Sequence, residues 1–399
     1  MVDLDLEDPA SIADPFRYFE QARARGPVQW SETHRAWLVI GHAEVAEAFR
    51  DSETLSADRV TALERVAAQR PAAFGQVVEL LRGWMVFRDP PQHGRLRAPV
   101  RNAFTPRRVD DLTDLVAGVV AEVIGSLPDD EVDVREHFAG PLPALVIAAV
   151  LGVDGEERHR FQQWSDDLAT VVFSTTPSSL PPDAAVDATE QFAAFFGDLI
   201  ASERRNPTGS LLSHLIAEAG DELSALELVG ACTLLLFAGH ETTTSLLTNA
   251  VGLLLERPEL LAWLRRHPEA DQTAVEELLR VLGPTRTMFR KAIVDHERVG
   301  QRIRAGDTVG LAMCAANHDP AAFDHPERVD LLREPNPHLT FGWGLHHCVG
   351  AHLARLEARL GLRALLDRFD TIGPLGPVPP ITGTVLGYAR DPLVVSVST

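Results

Sequence analysis

Residues 341–350 read Phe-Gly-Trp-Gly-Leu-His-His-Cys-Val-Gly, FGWGLHHCVG. Three potential metal ligands, His346, His347 and Cys348, stand side by side among glycines and aromatics. A phosphate loop fails: the third glycine is missing at the needed spacing and no Gly-Lys-Ser/Thr follows. A closed zinc site needs four ligands, usually in two separated pairs. Adjacent His346, His347 and Cys348 do not converge easily on one tetrahedral ion, and no CxxC or HxxxH partner exists. A nucleophilic cysteine with His346 as its base stays open by spacing.

A fourth reading fits better. Cys348 precedes an expected helix from about residue 349 to 369, whose inner stripe is Leu353, Leu356 and Leu360. A thiolate at a helix N-terminus is stabilised by the helix dipole and free N–H groups. Glycines at 342, 344 and 350 would let the loop lie flat against a large planar ligand. A single axial thiolate on a haem iron requires that arrangement, and it favours O–O cleavage.

The surrounding 399 residues are 45% apolar and 24% charged, ordinary for a folded globular chain. The formal charge of −20 disfavours nucleic acid and anionic lipid as general partners. The acidic start MVDLDLEDPASIADPF reads as neither signal nor anchor, and no apolar run reads as long enough to span a bilayer. Three scattered cysteines, at 232, 314 and 348, give no disulfide framework. A reducing cytoplasm is the expected location.

Helical spacing covers residues 15–24, 42–49, 110–124, 141–151, 156–174, 185–204 and 211–219, with a proline-rich loop at 174–183. Residues 27–30 and 36–40 read as paired strands, and 52–84 as a weaker, mobile stretch. Short strands are expected at 292–294, 298–303, 308–312 and 392–397. With no repeat and no linker, the expectation is one mainly α domain spanning 1–399, with small peripheral β-sheets.

The clearest helix is expected over 225–256, opened by the capping box Ser224 and Glu227 and stopped by Pro258. At 1.5 Å per residue, about 32 residues give roughly 48 Å. Its apolar flanks predict burial, yet Gly239, His240, Glu241 and Thr242 interrupt its middle. Such residues form either a packing network or a functional segment. In the functional reading Gly239 permits close approach to the backbone, while Glu241 and Thr242 form an acid–alcohol pair that passes protons. Glu277 and Arg280, three apart on a further helix, share a face.

At this point the chain resembles the cytochrome P450 superfamily, in its soluble bacterial form. FGWGLHHCVG fits the haem-binding pattern Phe-x-x-Gly-x-x-x-Cys-x-Gly, and AGHETT at 238–243 looks like the oxygen-activation segment. EELLR supplies Glu-x-x-Arg. DPPQHGRLR at 89–97 and FRKAIVD at 289–295 resemble the segments that hold haem propionates. These motifs stand in the family's order from 89 to 350.

The resemblance implies a single triangular P450 domain and a haem b (iron protoporphyrin IX) cofactor. Cys348 would be the axial iron ligand. Phe341 would pack beside its sulfur and Gly350 would permit the turn into the helix, with Ala238, Gly239 and Gly342 also against the haem. His93, Arg97, Arg290 and His346 would neutralise the propionates; His347 has no role to carry over. Glu241 and Thr242 would deliver protons. Glu277, Arg280 and Arg328 would form a structural network.

The implied activity is monooxygenation of a mostly hydrophobic small molecule, plausibly in secondary or catabolic metabolism. Electrons would come from a separate ferredoxin or flavodoxin with its reductase. Arg355, Arg359 and Arg363, at four-residue spacing, offer that partner a basic stripe. Phe237, Thr285, Arg286, Met288 and Val385 are candidate substrate contacts, with a substrate acid conceivable for Arg286. The alternative is a non-catalytic haem-thiolate binding or sensor protein.

Overall fold

The computed structural model describes residues 3–69, 71–153, 157, 163–164, 167–168, 183–384 and 387–399. Most of the expected helix at 156–174, most of the 174–183 loop, and Val385 therefore lie outside the described residues. The described chain is mainly helical with small sheets and divides into two compact units. One comprises Met1–Ser56, Val116–Leu142 and Glu241–Thr399; the other comprises Ala57–Leu115 and Pro143–His240.

The first unit is built around a five-stranded sheet. Its order is Val28–Ser31, Ala36–Val39, Thr308–Ala312, Thr287–Ala292 and Leu55–Ser56. The second and third strands pair in parallel, the other neighbours antiparallel. Period-two alternation gives the sheet two buried faces. Ala36 and Leu38 pack with Phe19 and Ala22 of helix Pro15–Arg23. Val39, Val309 and Leu311 pack with Val45 and Phe49 of helix His42–Arg50. Phe49 thereby sits where a well-packed sheet holds it.

In the second unit the stretch expected to be weak and mobile is two helices, Val60–Gln69 and Pro71–Arg82. Asp58 caps the first, accepting from the Thr61 N–H and hydroxyl. Pro71 opens the second at a position where its missing N–H costs nothing. This second helix ends against the long helix with no side chain between them. A Cβ at Gly83 would come within 2.8 Å of the Gly230 Cα, and one at Gly230 within 2.7 Å of the Gly83 Cα.

The long helix runs Ala225–Glu256, as its capping box and Pro258 predict. The box is reciprocal: Glu227 accepts from the Ser224 N–H and hydroxyl, and the Glu227 N–H donates to Ser224 Oγ. The strand expected at 292–294 lies earlier, at Thr287–Ala292. The one expected at 298–303 is a hairpin, His296–Arg298 with Gln301–Ile303, turned at Val299 and Gly300, both with positive φ.

One expectation about membranes is corrected. Val134–Leu151 is long and apolar enough to cross a bilayer by length and composition, although 61% of it is buried inside the protein. Read from sequence, Gly140-Pro141 splits this run. In the fold the π-helical turn Val134–Ala139 leads through Gly140 directly into helix Pro141–Leu151.

Candidate functional site

Cys348 stands three residues before helix Ala351–Arg368 and is exposed. Its N–H donates to the Phe341 carbonyl at 2.9 Å, which closes the loop into a ring of backbone. Gly342 and Gly344 have φ of 67° and 72°, a region that side chains make costly. Space demands glycine too: a Cβ on Gly344 would sit 2.9 Å from the Phe49 carbonyl oxygen. The loop therefore rests on the end of helix His42–Arg50. Gly350 differs from its expected role. Its φ of −83° suits any residue, and a Cβ there would meet only Cys348 Sγ, at 4.0 Å.

Aromatic and charged groups fix this loop. The Arg355 guanidinium lies 4.4 Å from the Phe341 ring centroid and donates two hydrogen bonds to Glu276, at 2.6 and 2.9 Å. His338 reaches the same carboxylate at 3.0 Å. Burial works to raise the Glu276 carboxyl, yet hydrogen bonds from His338 and Arg355 hold it at about 2. His347 finds a contact that sequence did not suggest, its ring 6.4 Å from that of Phe341. Arg290, 9% exposed, donates to the Phe289 carbonyl and lies 5.7 Å from the Phe49 ring centroid. His346 is half-buried in the turn Gly344–His346.

The adjacent carboxylate, Glu277, is the hub expected from Glu-x-x-Arg. Arg280 forks onto it with two 2.8 Å bonds, and both side chains are fully buried. Arg280 also donates to the carbonyls of Asn317, Pro326 and Arg328. The third cation is not the expected Arg328, whose side chain is 69% exposed and faces Glu327. It is Arg333, which bonds both Glu277 oxygens at 3.2 and 3.0 Å. The chain turns at Asp330, whose carbonyl accepts from the Arg333 N–H, and this turn brings Arg333 back while Arg328 contributes only its carbonyl. Asn317 and Thr340 extend the network to the residue before Phe341.

The expected basic stripe is also corrected. Arg355 is committed to Glu276, and Arg363 is bonded to Asp271 at 2.9 and 2.6 Å. Only Arg359 of the three is exposed. Carboxylates thus offset the charge of Arg355 and Arg363.

On the long helix, residues 234–237 and 246–251 are almost all buried, but Ala238, Gly239, Glu241, Thr242 and Ser245 are exposed or half-buried. Their spacing traces one face of a helix, and four of the five are small or carry a hydroxyl. His240 turns away, its Nδ1 3.0 Å from the Leu236 carbonyl. A Cβ on Gly239 would meet Ile147 at 3.3 Å, so a side chain, too, presses there. The Glu241 carboxylate lies 3.5 Å from Arg135, which is also 3.5 Å from Asp391. Sequence reading missed Arg135, because nothing marks it 106 residues upstream.

His93 and Arg97 occupy one face of helix Gln92–Ala103, a turn apart; His93 is buried and Arg97 half-buried. Phe237 packs on Trp84, ring centroids 5.1 Å apart. Met288 packs against the sheet core. Arg286 does not face a large cavity; its guanidinium bonds the Ser11 carbonyl and hydroxyl.

Among the described residues no three His, Cys, Asp or Glu gather to hold a metal ion. A metal at Cys348 would draw one sulfur from the protein and its other ligands from a macrocycle. The exposed Cys348, held in a turn of glycines with positive φ, fits that demand. The family's sequence pattern, Cytochrome P450, matches residues 84–397. This chain is a cytochrome P450. As a P450 it is a monooxygenase. It is 35% identical over 386 residues to the putative cytochrome P450 YjiB of Bacillus subtilis, covering 93% of this chain and 91% of that one. It is 37% identical over 381 residues to the 6-deoxyerythronolide B hydroxylase of Saccharopolyspora erythraea, covering 92% of each. Among solved P450 structures, CalO2 superposes with a TM-score of 0.90 at 28% identity, over 100% of this chain and 99% of that one.

Proposed function

We propose that this P450 hydroxylates a mostly hydrophobic small molecule of secondary or catabolic metabolism, using iron protoporphyrin IX and electrons from a separate ferredoxin or flavodoxin. The carrying observation is the Cys348 loop, an exposed cysteine three residues before helix Ala351–Arg368 in a turn of glycines with positive φ. Relatives named as hydroxylases support the reaction class. When bound, the haem supplies activation of dioxygen, one atom going to substrate and the other to water.

The chain's own residues do the rest. Cys348 Sγ would hold the haem iron, and Ala238, Gly239 and Gly342 would pack against the macrocycle. His93, Arg97, Arg290 and His346 neutralise its propionates, which buried carboxylates require. The Glu241 carboxyl takes protons and Thr242 Oγ1 hands them on. Arg135 holds the Glu241 carboxylate in place between transfers. Phe237, Thr285, Met288 and Val385 would be the contacts of a mostly apolar substrate. The chain acts as one domain over 1–399, which the family match across both units supports. A cytoplasmic setting suits a cysteine that must stay reduced to bind iron.

The reduced protein under carbon monoxide should show the red-shifted Soret band of thiolate ligation, and Cys348→Ser should lose it. A correctly folded, colourless protein defeats this reading. With a ferredoxin system and a binding substrate, Thr242→Ala should keep the band but lose roughly 10- to 100-fold in product per electron consumed. Unchanged coupling would remove Thr242 from proton delivery.

A further inference from the structure

Arg286 is 2% exposed and sits just before strand Thr287–Ala292. Its Nη2 donates to the Ser11 carbonyl and Oγ at 3.1 and 2.8 Å. Its guanidinium carbon lies 5.1 Å from the Tyr388 ring centroid. Among the described residues Nε is a buried donor without a partner. Arg280, Arg298 and Arg390, buried to a similar degree, each meet a carboxylate. Among the described residues Arg286 meets none. An uncompensated buried charge of this kind is destabilising.

Its surroundings do not neutralise it. Arg280 lines the same cavity and shares one carboxylate, Glu277, with Arg333. His318, also in the lining, is held down to about 4 by burial and by the Arg280 charge, and so is neutral at pH 7. Burial pushes the Tyr388 hydroxyl up to about 12, leaving it a protonated donor. The cavity between these groups has a volume of about 40 Å³ and is bordered by Ser11, Thr285, Cys314 and Tyr388. At roughly 10–15 Å³ per water-sized sphere it takes about three such spheres. That admits a halide or formate and rejects a bulky organic acid.

We propose that this cavity binds a small monovalent anion, held by the Arg286 Nε–H and by the Tyr388 hydroxyl. The anion supplies the counter-charge the fold omits, through charge-assisted hydrogen bonds. Because Arg286 also grips Ser11 in helix Pro9–Ala13, the occupied site fastens the N-terminal segment to the sheet. The inference stands independently of the monooxygenase reading.

Crystals of the haem-loaded protein soaked in sodium bromide should show an anomalous peak within about 3.5 Å of an Arg286 nitrogen. In solution, replacing sodium gluconate with sodium chloride at constant ionic strength should raise the melting temperature saturably, by roughly 2–4 °C. Sodium formate should do the same, and Arg286→Gln should abolish both responses. A bromide map without that peak overturns the proposal, as does an equal chloride response in the variant. Should Arg286→Gln fail to fold, the soak of the unaltered protein decides alone.

Discussion

Arg328 and Arg333 are five residues apart, yet their environments are opposite. Arg333 spans both Glu277 oxygens and three carbonyls from a side chain 9% exposed. Arg280 keeps Glu277 paired when Arg333 is removed, so the loss is that of Arg333's own charge-assisted hydrogen bonds, about 1.5–3 kcal/mol. Arg333→Ala should therefore lower unfolding free energy by about that amount in urea melts, whereas Arg328→Ala should change it by less than about 0.5 kcal/mol. Equal effects would sink the reassignment. Sequence made Glu277 and Arg280 legible because three residues along a helix fix a shared face. It could not choose the third cation, since that depends on how an irregular stretch turns. The same holds for Arg135, whose approach to Glu241 is set by tertiary structure alone.

Helices were legible where apolar residues recur at helical spacing and a cap marks the start, as over Leu211–Ala219 and Ala225–Glu256. The pair Val60–Gln69 and Pro71–Arg82 escaped because proline at 71 and glycine at 75 interrupt the period. Strand ends escaped because backbone pairing, not composition, sets them. The cysteine helix Ala351–Arg368 carries a conflict that its pattern conceals. Glu357 lies 3% exposed on its inner side, and burial pushes its carboxyl well above its ordinary 4.5. Among the described residues its Oε2 has no partner. A folded state that holds this proton more tightly than the unfolded chain loses stability as pH rises above about 4.5. Glu357→Gln cannot lose a proton. Its melting temperature should gain on the parent progressively from pH 4.5 upward. A difference independent of pH would show that Glu357 does not titrate in this way.

At the scale of the molecule, charge works the other way. The chain carries −20, and its paired carboxylates have depressed proton affinity. Glu276 moves from 4.5 to about 2, and Glu277 moves down against its own burial because Arg280, Asp330 and Arg333 outweigh it. Each contributes stability that is complete above pH 4.5 and is lost as pH falls through the folded value. Melts between pH 5 and pH 2 should show a steep loss, and Glu276→Gln should flatten it. An unchanged slope would acquit the pair. The single-domain expectation came from the want of a proline- or glycine-rich linker. The division into two units leaves no such mark, since it falls between His240 and Glu241 within a continuous helix.

Gly83 and Gly230 meet backbone to backbone, and any side chain at either would strike main chain rather than a yielding neighbour. No substitution at one position can be compensated at the other, because neither has an atom left to give up. Relatives that keep this crossing should hold glycine at both sites, and two unvarying columns cannot covary. Contact inference from correlated substitutions would thus be blind to a crossing at which backbone meets backbone.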